Sequence, residues 1–80
     1  MKYIYKVTKE SHWHSDIGYY VSYGIYVDYT INSKANHIFI SDVSVDYEKV
    51  KRLAEHCTVH QLEPCHLKEV IEDFLNSKHI

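Results

Sequence analysis

The chain has 80 residues, of which 45% are hydrophobic and 25% charged, and its net charge is −2 with neutral histidines. A chain of this length has room for one core, so residues 1–80 are predicted to form a single domain. The nine Lys and Arg residues are scattered among acidic ones, which disfavours nucleic acid and anionic membranes as partners. No segment resembles a signal peptide or a membrane span. The two cysteines are therefore expected to be reduced thiols in the cytoplasm.

The first half of the chain has the two-residue period of β-strands. Tyr3 and Ile4 point to opposite faces of a first strand, and either face is a candidate for the core. Polar residues 9–16 interrupt the alternation, and the middle of this stretch is predicted to be the first hairpin connection. A second strand over residues 17–29 alternates without a break, and its odd-numbered face is predicted to meet the core. That face carries Ile17, Tyr19, Val21, Tyr23, Ile25, Val27 and Tyr29.

A strand of thirteen residues is about twice the usual length and is expected to bend. Gly24 is the predicted place, as a bulge or kink. The turn-forming residues 32–36 predict a second hairpin loop. Residues 37–41 are rich in β-branched and aromatic side chains and predict a short third strand.

The second half of the chain has the helical period. A first helix is predicted to begin near residue 44, capped by Ser44 or Asp46. A second is predicted to begin at Pro64, because proline is favoured at the first helical position. The apolar faces comprise Tyr47, Val50, Leu53, Ala54 and Cys57 in the first helix, and Leu67, Val70, Ile71, Phe74 and Leu75 in the second. The sequence thus predicts an α+β fold of order β-β-β-α-α, with a three-stranded antiparallel sheet over about 2–43 and an α-helical hairpin over about 44–77 on one sheet face.

Three segments of the second half resemble a known family. They read Ile-Ser-Asp-Val-Ser-Val-Asp at 40–46, Leu-Glu-Pro-Cys-His-Leu at 62–67 and Val-Ile-Glu-Asp-Phe-Leu at 70–75. They are similar to the patterns I-S-D-I-S-x-D and L-S-P-x-H-L-x-D-V-V-E-D-F-L in a family of short uncharacterised proteins from Firmicutes, mainly Clostridia. Val45 and Glu63 depart from the family's capping residues. The resemblance implies a bacterial or phage origin and supports the predicted fold, but implies no activity.

Five potential zinc ligands lie within eleven residues, namely His56, Cys57, His60, Cys65 and His66. Thiolate and imidazole are the usual ligands of structural zinc. The spacing matches no standard zinc finger, and no CxxC pair is present. Cys57 also continues the apolar face of the first helix, where a buried small side chain is expected. A metal site is therefore the weaker interpretation, and no cofactor is expected.

Four aromatic residues are candidates for contacting a partner. Tyr20 and Tyr26 point away from the predicted core face, and Phe39 is expected to join them. Trp13 lies in the predicted first loop, either gripping a partner or folding back over the sheet edge. Tyrosine and tryptophan are enriched in protein interfaces.

The sequence therefore favours a small non-enzymatic protein–protein interaction module of bacterial or phage origin, an inhibitor or regulator of a host protein. The partner is another protein or a second copy of the chain. Small acidic α+β phage inhibitors of bacterial defence are an analogy at the level of fold alone. The alternative is a metal- or redox-responsive regulator that uses Cys57, Cys65 and the nearby histidines. No catalytic motif is present, so an enzyme is not expected.

Overall fold

The computed structural model describes residues 3–76 and contains a three-stranded antiparallel sheet in the order β1-β2-β3, followed by two helices. The strands are β1 (Ile4–His14), β2 (Gly18–Ile31) and β3 (Lys34–Ser44). The helices are α1 (Tyr47–Val59) and α2 (Leu67–Asn76), and a 3₁₀ turn, Pro64–His66, precedes α2. Both helices pack on the sheet, which confirms the predicted α+β fold of order β-β-β-α-α. The predicted limits at residues 2 and 77 lie outside the described residues. None of the described helices is long and apolar enough to cross a membrane.

The first hairpin is longer than predicted, because β1 continues through the polar segment to His14. The predicted connection within residues 9–16 is therefore wrong. The actual turn spans residues 15–17, where the Ile17 N–H donates a hydrogen bond to the His14 carbonyl at 3.2 Å. Gly18 follows with φ +78°, a backbone conformation that costs glycine little. The polar residues of this segment are compatible with a strand because the Trp13 and His14 side chains are exposed and Glu10 contacts polar groups of β3.

The second hairpin has a tighter turn than predicted. Ile31 pairs directly with Lys34, so only Asn32 and Ser33 form the loop. Their φ angles of 51° and 66° are both left-handed, as a two-residue type I′ turn requires. The short turn allows β3 to begin at Lys34 instead of residue 37, and β3 extends to Ser44.

The core lies between one face of the sheet and the two helices. Tyr5 is buried in β1, whereas the Ile4 side chain is 50% exposed, so the odd-numbered face of the first strand is the buried one. The Tyr5 hydroxyl donates a hydrogen bond to the Leu62 carbonyl, and burial raises the pKa of this phenol. The buried apolar residues are Tyr5, Ile25, Val27, Val43, Val50, Leu53, Ala54, Cys57, Leu67 and Ile71.

Both ends of α1 are capped by local hydrogen bonds. At the start, the Asp46 carboxylate accepts from the Lys49 N–H at 3.3 Å, so Asp46 is the cap. At the end, the Leu62 N–H donates to the Cys57 carbonyl and the Gln61 N–H to the Thr58 carbonyl. These two bonds define a Schellman motif, which needs a left-handed residue after the helix. Gln61 occupies that position with φ 50°.

The helices cover only part of the sheet. A helix of thirteen residues is about 20 Å long, whereas a strand of fourteen residues extends about 46 Å. The β1–β2 hairpin therefore projects beyond the helices from Tyr23 towards its turn, where Tyr23 contacts Tyr47 at the start of α1, and we call residues 9–23 the hairpin arm. Ile17, Tyr19 and Val21 are 67%, 80% and 42% exposed. The prediction that they meet the core is therefore wrong. Tyr47 and Leu75, predicted on the helical core faces, are also exposed.

Replacing Leu67 with Ala should lower the free energy of unfolding by about 2–5 kcal/mol, because Leu67 is fully buried at the start of α2. Leu75→Ala removes the same atoms from a half-exposed site on that helix and should cost much less. Urea unfolding followed by circular dichroism measures both values. Equal losses for the two variants would contradict the assigned helix orientation.

Candidate functional site

The face of the sheet opposite the helices carries most of the predicted contact residues. Tyr20, Tyr26 and Phe39 all lie on it, since Phe39 pairs directly with Tyr26 in the ladder. No helix in residues 3–76 packs on this face. We call it the open face. Trp13 does not lie there, because it pairs with Tyr19 on the helix side of the sheet.

An apolar patch occupies one half of the open face. Ile4 and Phe39 are 50% and 44% exposed, and Tyr26 lies between them on the central strand. The Tyr26 hydroxyl donates to Asp28 Oδ1 at 2.6 Å, and this bond raises the pKa of the phenol. The Tyr26 ring also stacks on His37, with centroids 6.0 Å apart. These two contacts hold the aromatic ring in one orientation.

A shallow depression of about 210 Å³ lies beside this patch and is lined by Ile4, Lys6, Tyr26 and Asp28. Its wall thus combines an aliphatic and an aromatic side chain with one charge of each sign. This composition resembles the border of a protein interface, where apolar and aromatic side chains meet a polar rim.

The other half of the open face is organised by an irregularity in the sheet. Tyr23 pairs with Ser44 and Ile25 with Ile40, so Gly24 stands opposite the three residues 41–43 of β3. The extra residues are accommodated by a left-handed conformation at Asp42, with φ 55°. This irregularity lies at the predicted place, Gly24, but its extra residues belong to β3, while β2 stays in regular register with β1. It also returns Val43 to the core side, where it is buried.

Glu10 reaches across the central strand at this bulge. Its carboxylate accepts hydrogen bonds from the Ser41 hydroxyl and, at 3.1 Å, from the Asp42 N–H. The Glu10 side chain can cross β2 at this point only because Gly24 has no side chain. A Cβ there would lie 2.5 Å from both Glu10 Oε2 and the Ile40 carbonyl oxygen. The space at Gly24 is therefore filled by Glu10 and the Ile40 carbonyl group and is not open to a partner.

His12, Tyr20 and Asp42 extend this polar cluster. The His12 ring stacks on Tyr20 with centroids 5.1 Å apart, and His12 Nε2 lies 3.0 Å from Glu10 Oε1 without hydrogen-bond alignment. The Tyr20 hydroxyl donates to Asp42 Oδ2 at 3.1 Å, which raises the pKa of the phenol. Tyr20 is thus part of a network that fixes the bulge, and it lies apart from the apolar patch around Tyr26.

The five proposed metal ligands do not form one group. Cys57 is 1% exposed in the core, and its burial raises the pKa of the thiol. This confirms its expected role as a small buried side chain. The rings of His56 and His60 contact each other on the exposed side of α1, with centroids 4.3 Å apart. Cys65 is exposed at the turn before α2, near His66.

Glu63, Cys65 and His66 form a different group of potential metal ligands at that turn. One ligand atom from each of Glu63, Cys65 and His66 lies within 4.8 Å of the others. Cys65 Sγ is 4.0 Å from Glu63 Oε1, and His66 Nδ1 is 3.5 Å from Glu69 Oε1. Among residues 3–76 this is the group of three potential ligands whose donor atoms are close enough to share an ion.

The sequence interpretation missed Glu10 and Gln61. Glu10 lies in the segment predicted to interrupt the strand, although it follows Lys6 and Thr8 at the two-residue spacing of a strand. The Gln61 side chain holds the start of β1, since its amide accepts from the Tyr3 N–H and donates to the Tyr3 carbonyl, both at 2.8 Å. No local pattern identifies such a contact, because the two residues are 58 positions apart.

A model of a family described as of unknown function, DUF6514, matches residues 1–77. The chain belongs to this family. Comparison with curated proteins and with solved structures gives no match. Membership in the DUF6514 family therefore identifies the domain without assigning an activity to it.

Gly24→Ala should lower the free energy of unfolding by about 1–3 kcal/mol, because the new methyl group has no space beside Glu10 and Ile40. Glu10→Ala should also destabilise, since it leaves the Asp42 N–H without its acceptor. The double variant should lose less stability than the two single losses combined, because removing the carboxylate relieves part of the clash. Chemical unfolding of all three variants measures this coupling, and strictly additive losses would contradict the crossing of Gly24 by Glu10.

Proposed function

We propose that this DUF6514 protein is a non-enzymatic interaction module that binds another protein through the open face of its sheet. The observation that carries the proposal is the apolar patch of Ile4, Tyr26 and Phe39, which no described helix covers. Exposed apolar residues that are contiguous and bordered by polar groups are characteristic of interaction sites.

The patch has two properties that favour binding. The Tyr26 ring is held by its bond to Asp28 and by stacking on His37, so little side-chain entropy remains to be lost on association. The border of the patch carries Lys6 and Asp28, which can pair with a negative and a positive group of the partner. Of the predicted contact residues, Tyr26 and Phe39 thus form the proposed centre and Tyr20 a peripheral position. Trp13 belongs to another surface.

The biological setting is part of the same proposal. We assign the chain to a bacterium or phage, as a regulator or inhibitor of a host protein, on the basis of its resemblance to short Firmicutes proteins. Both cysteines are free thiols, which is consistent with a reducing cytoplasm.

Replacing both Tyr26 and Phe39 with Ser should abolish capture of a specific partner while leaving the fold intact, because neither residue is in the core. The matched control is Tyr19→Ser, which removes an exposed aromatic ring from the opposite face. Affinity capture from the lysate of a host cell, with quantitative mass spectrometry, compares the three proteins. The proposal requires proteins that wild type and Tyr19→Ser retain and the double variant loses. Identical capture by all three would contradict it.

A second candidate function, a metal-responsive regulator, is favoured by the proximity of Glu63, Cys65 and His66. Carboxylate, thiolate and imidazole are all zinc ligands, and three protein ligands leave one position of a tetrahedral site open. Cys57 is excluded from such a site because it is buried in the core.

Cobalt is the probe for this candidate. Titration with Co²⁺ should produce a thiolate-to-metal absorption band that Cys65→Ser abolishes. His56→Ala should leave the band unchanged, because His56 lies outside the group of three ligands. Absence of the band, or its persistence in Cys65→Ser, would exclude the metal-responsive function.

A further inference from the structure

The outward-pointing backbone groups of β1 have hydrogen-bond partners along one part of the strand and lack them along another. In a strand, successive backbone groups point to alternate sides. The Tyr5 N–H donates to Thr58 Oγ1 at 2.9 Å and the Tyr3 N–H to Gln61 Oε1, so the odd-numbered residues of β1 direct their backbone groups away from β2. At Tyr3 and Tyr5, side chains from the end of α1 thus take the place of a neighbouring strand.

The same alternation leaves the hairpin arm without such protection. The β1–β2 register is regular from Ile4 to His14, so the backbone groups of Lys9, Ser11 and Trp13 also point outward. Within residues 3–76, none of these groups has a hydrogen-bond partner outside the ladder. The start of α1 lies towards the centre of the sheet, where Tyr47 contacts Tyr23. The edge from Lys9 to Trp13 is therefore accessible to another strand.

We propose that two copies of the chain pair antiparallel through this edge, with Ser11 opposite Ser11, and so form one continuous six-stranded sheet. This inference concerns the edge of the arm and does not depend on the binding proposed for the open face. In this register Ser11 lies opposite Ser11 of the second copy, and Lys9 lies opposite Trp13 of the second copy. Each of these pairs directs its backbone groups towards the other strand, as hydrogen-bonded antiparallel pairs require.

The side chains favour this register over those that are centred one or two residues away along β1. Pairing centred on Lys9 would place two lysines directly opposite each other, and pairing centred on Glu10 would oppose two glutamates. Like charges in opposite positions destabilise a sheet. Centring on His12 would shorten the paired segment, because β1 ends at His14. Centring on Ser11 avoids these costs and pairs residues 8–14 of both copies.

The chosen register also gives complementary contacts on both faces. On the helix side, the Lys9 ammonium group of each copy would lie beside the Trp13 ring of the other, in a cation–π arrangement. Trp13 is 62% exposed in the single chain, so pairing would bury apolar area. On the open-face side, Glu10 would stand opposite His12 of the second copy.

Ser11→Pro tests the pairing while preserving the hairpin. The Ser11 N–H points away from β2, so proline removes no hydrogen bond of the ladder, and proline is tolerated at such edge positions. Sedimentation equilibrium should show a dimer for wild type and for the control Ser11→Thr, and a dissociation constant raised about tenfold or more for Ser11→Pro. A wild type that remains monomeric at its highest soluble concentration overturns the proposal, as does a dimer that folded Ser11→Pro leaves unchanged.

Cysteine cross-linking tests the register and does not depend on the proline variant. In a Cys65→Ser background, Ser11→Cys should form a disulfide-linked dimer under mild oxidation, because hydrogen-bonded pairs have Cα atoms about 5.5 Å apart. Lys9→Cys alone should remain monomeric on a denaturing gel, whereas a mixture of Lys9→Cys and Trp13→Cys should cross-link. Equal cross-linking of Lys9→Cys with itself, or none at Ser11→Cys, overturns the register.

Discussion

The difference in length between the strands and the helices determines most of this structure. The described residues extend 45 Å in their longest dimension, which is close to the length of β2, while α1 spans less than half of it. A core can form only where helix and sheet overlap, around residues such as Ile25 and Leu67. The remainder of the β1–β2 hairpin must be stable as a two-stranded ribbon that no described helix covers, although Ser22 within it is buried. Isolated ribbons of this kind are marginal, so the arm depends on its attachment to the covered half and on its own side-chain contacts.

The polar cluster at Gly24 stabilises the place where the covered half meets the arm. β3 leaves the regular ladder there, so its displaced backbone groups lose their partners in β2. Glu10 supplies an acceptor to the displaced backbone at Asp42. The contact crosses the central strand, so it ties both edge strands together without a side chain from β2. A glycine is required at the crossing because the carboxylate and the Ile40 carbonyl occupy the position of a Cβ.

The periodicity of the sequence was sufficient to predict the fold and less informative about the strand limits. Alternation identified β2 and the buried side of α1, and the lone proline marked the turn before α2. Alternation failed at Tyr19, because an apolar side chain on a strand has the same pattern whether or not a helix covers it. It failed at Glu10 for a different reason, since a polar strand residue resembles a loop residue when its partners, here Ser41 and Asp42, lie far along the chain. The open face was predicted from Tyr26, whereas the contact of Gln61 with Tyr3 depends on the tertiary arrangement and leaves no local signal.

The alternation of side chains and backbone groups along β1 also separates the two proposed binding surfaces, the open face and the outer edge of the hairpin arm. Even-numbered residues such as Lys6 and Glu10 place their side chains on the open face and their backbone groups against β2. Odd-numbered residues such as Ser11 place their side chains on the helix side and their backbone groups at the outer edge. Pairing along the edge therefore uses a set of backbone groups that the open face does not need. The apolar patch around Tyr26 also lies at the opposite end of the sheet from the arm, so the two surfaces do not compete for residues. A dimer joined through the arms would present two open faces on one continuous sheet, and a repeated or symmetric partner could engage both at once with higher avidity than one face provides.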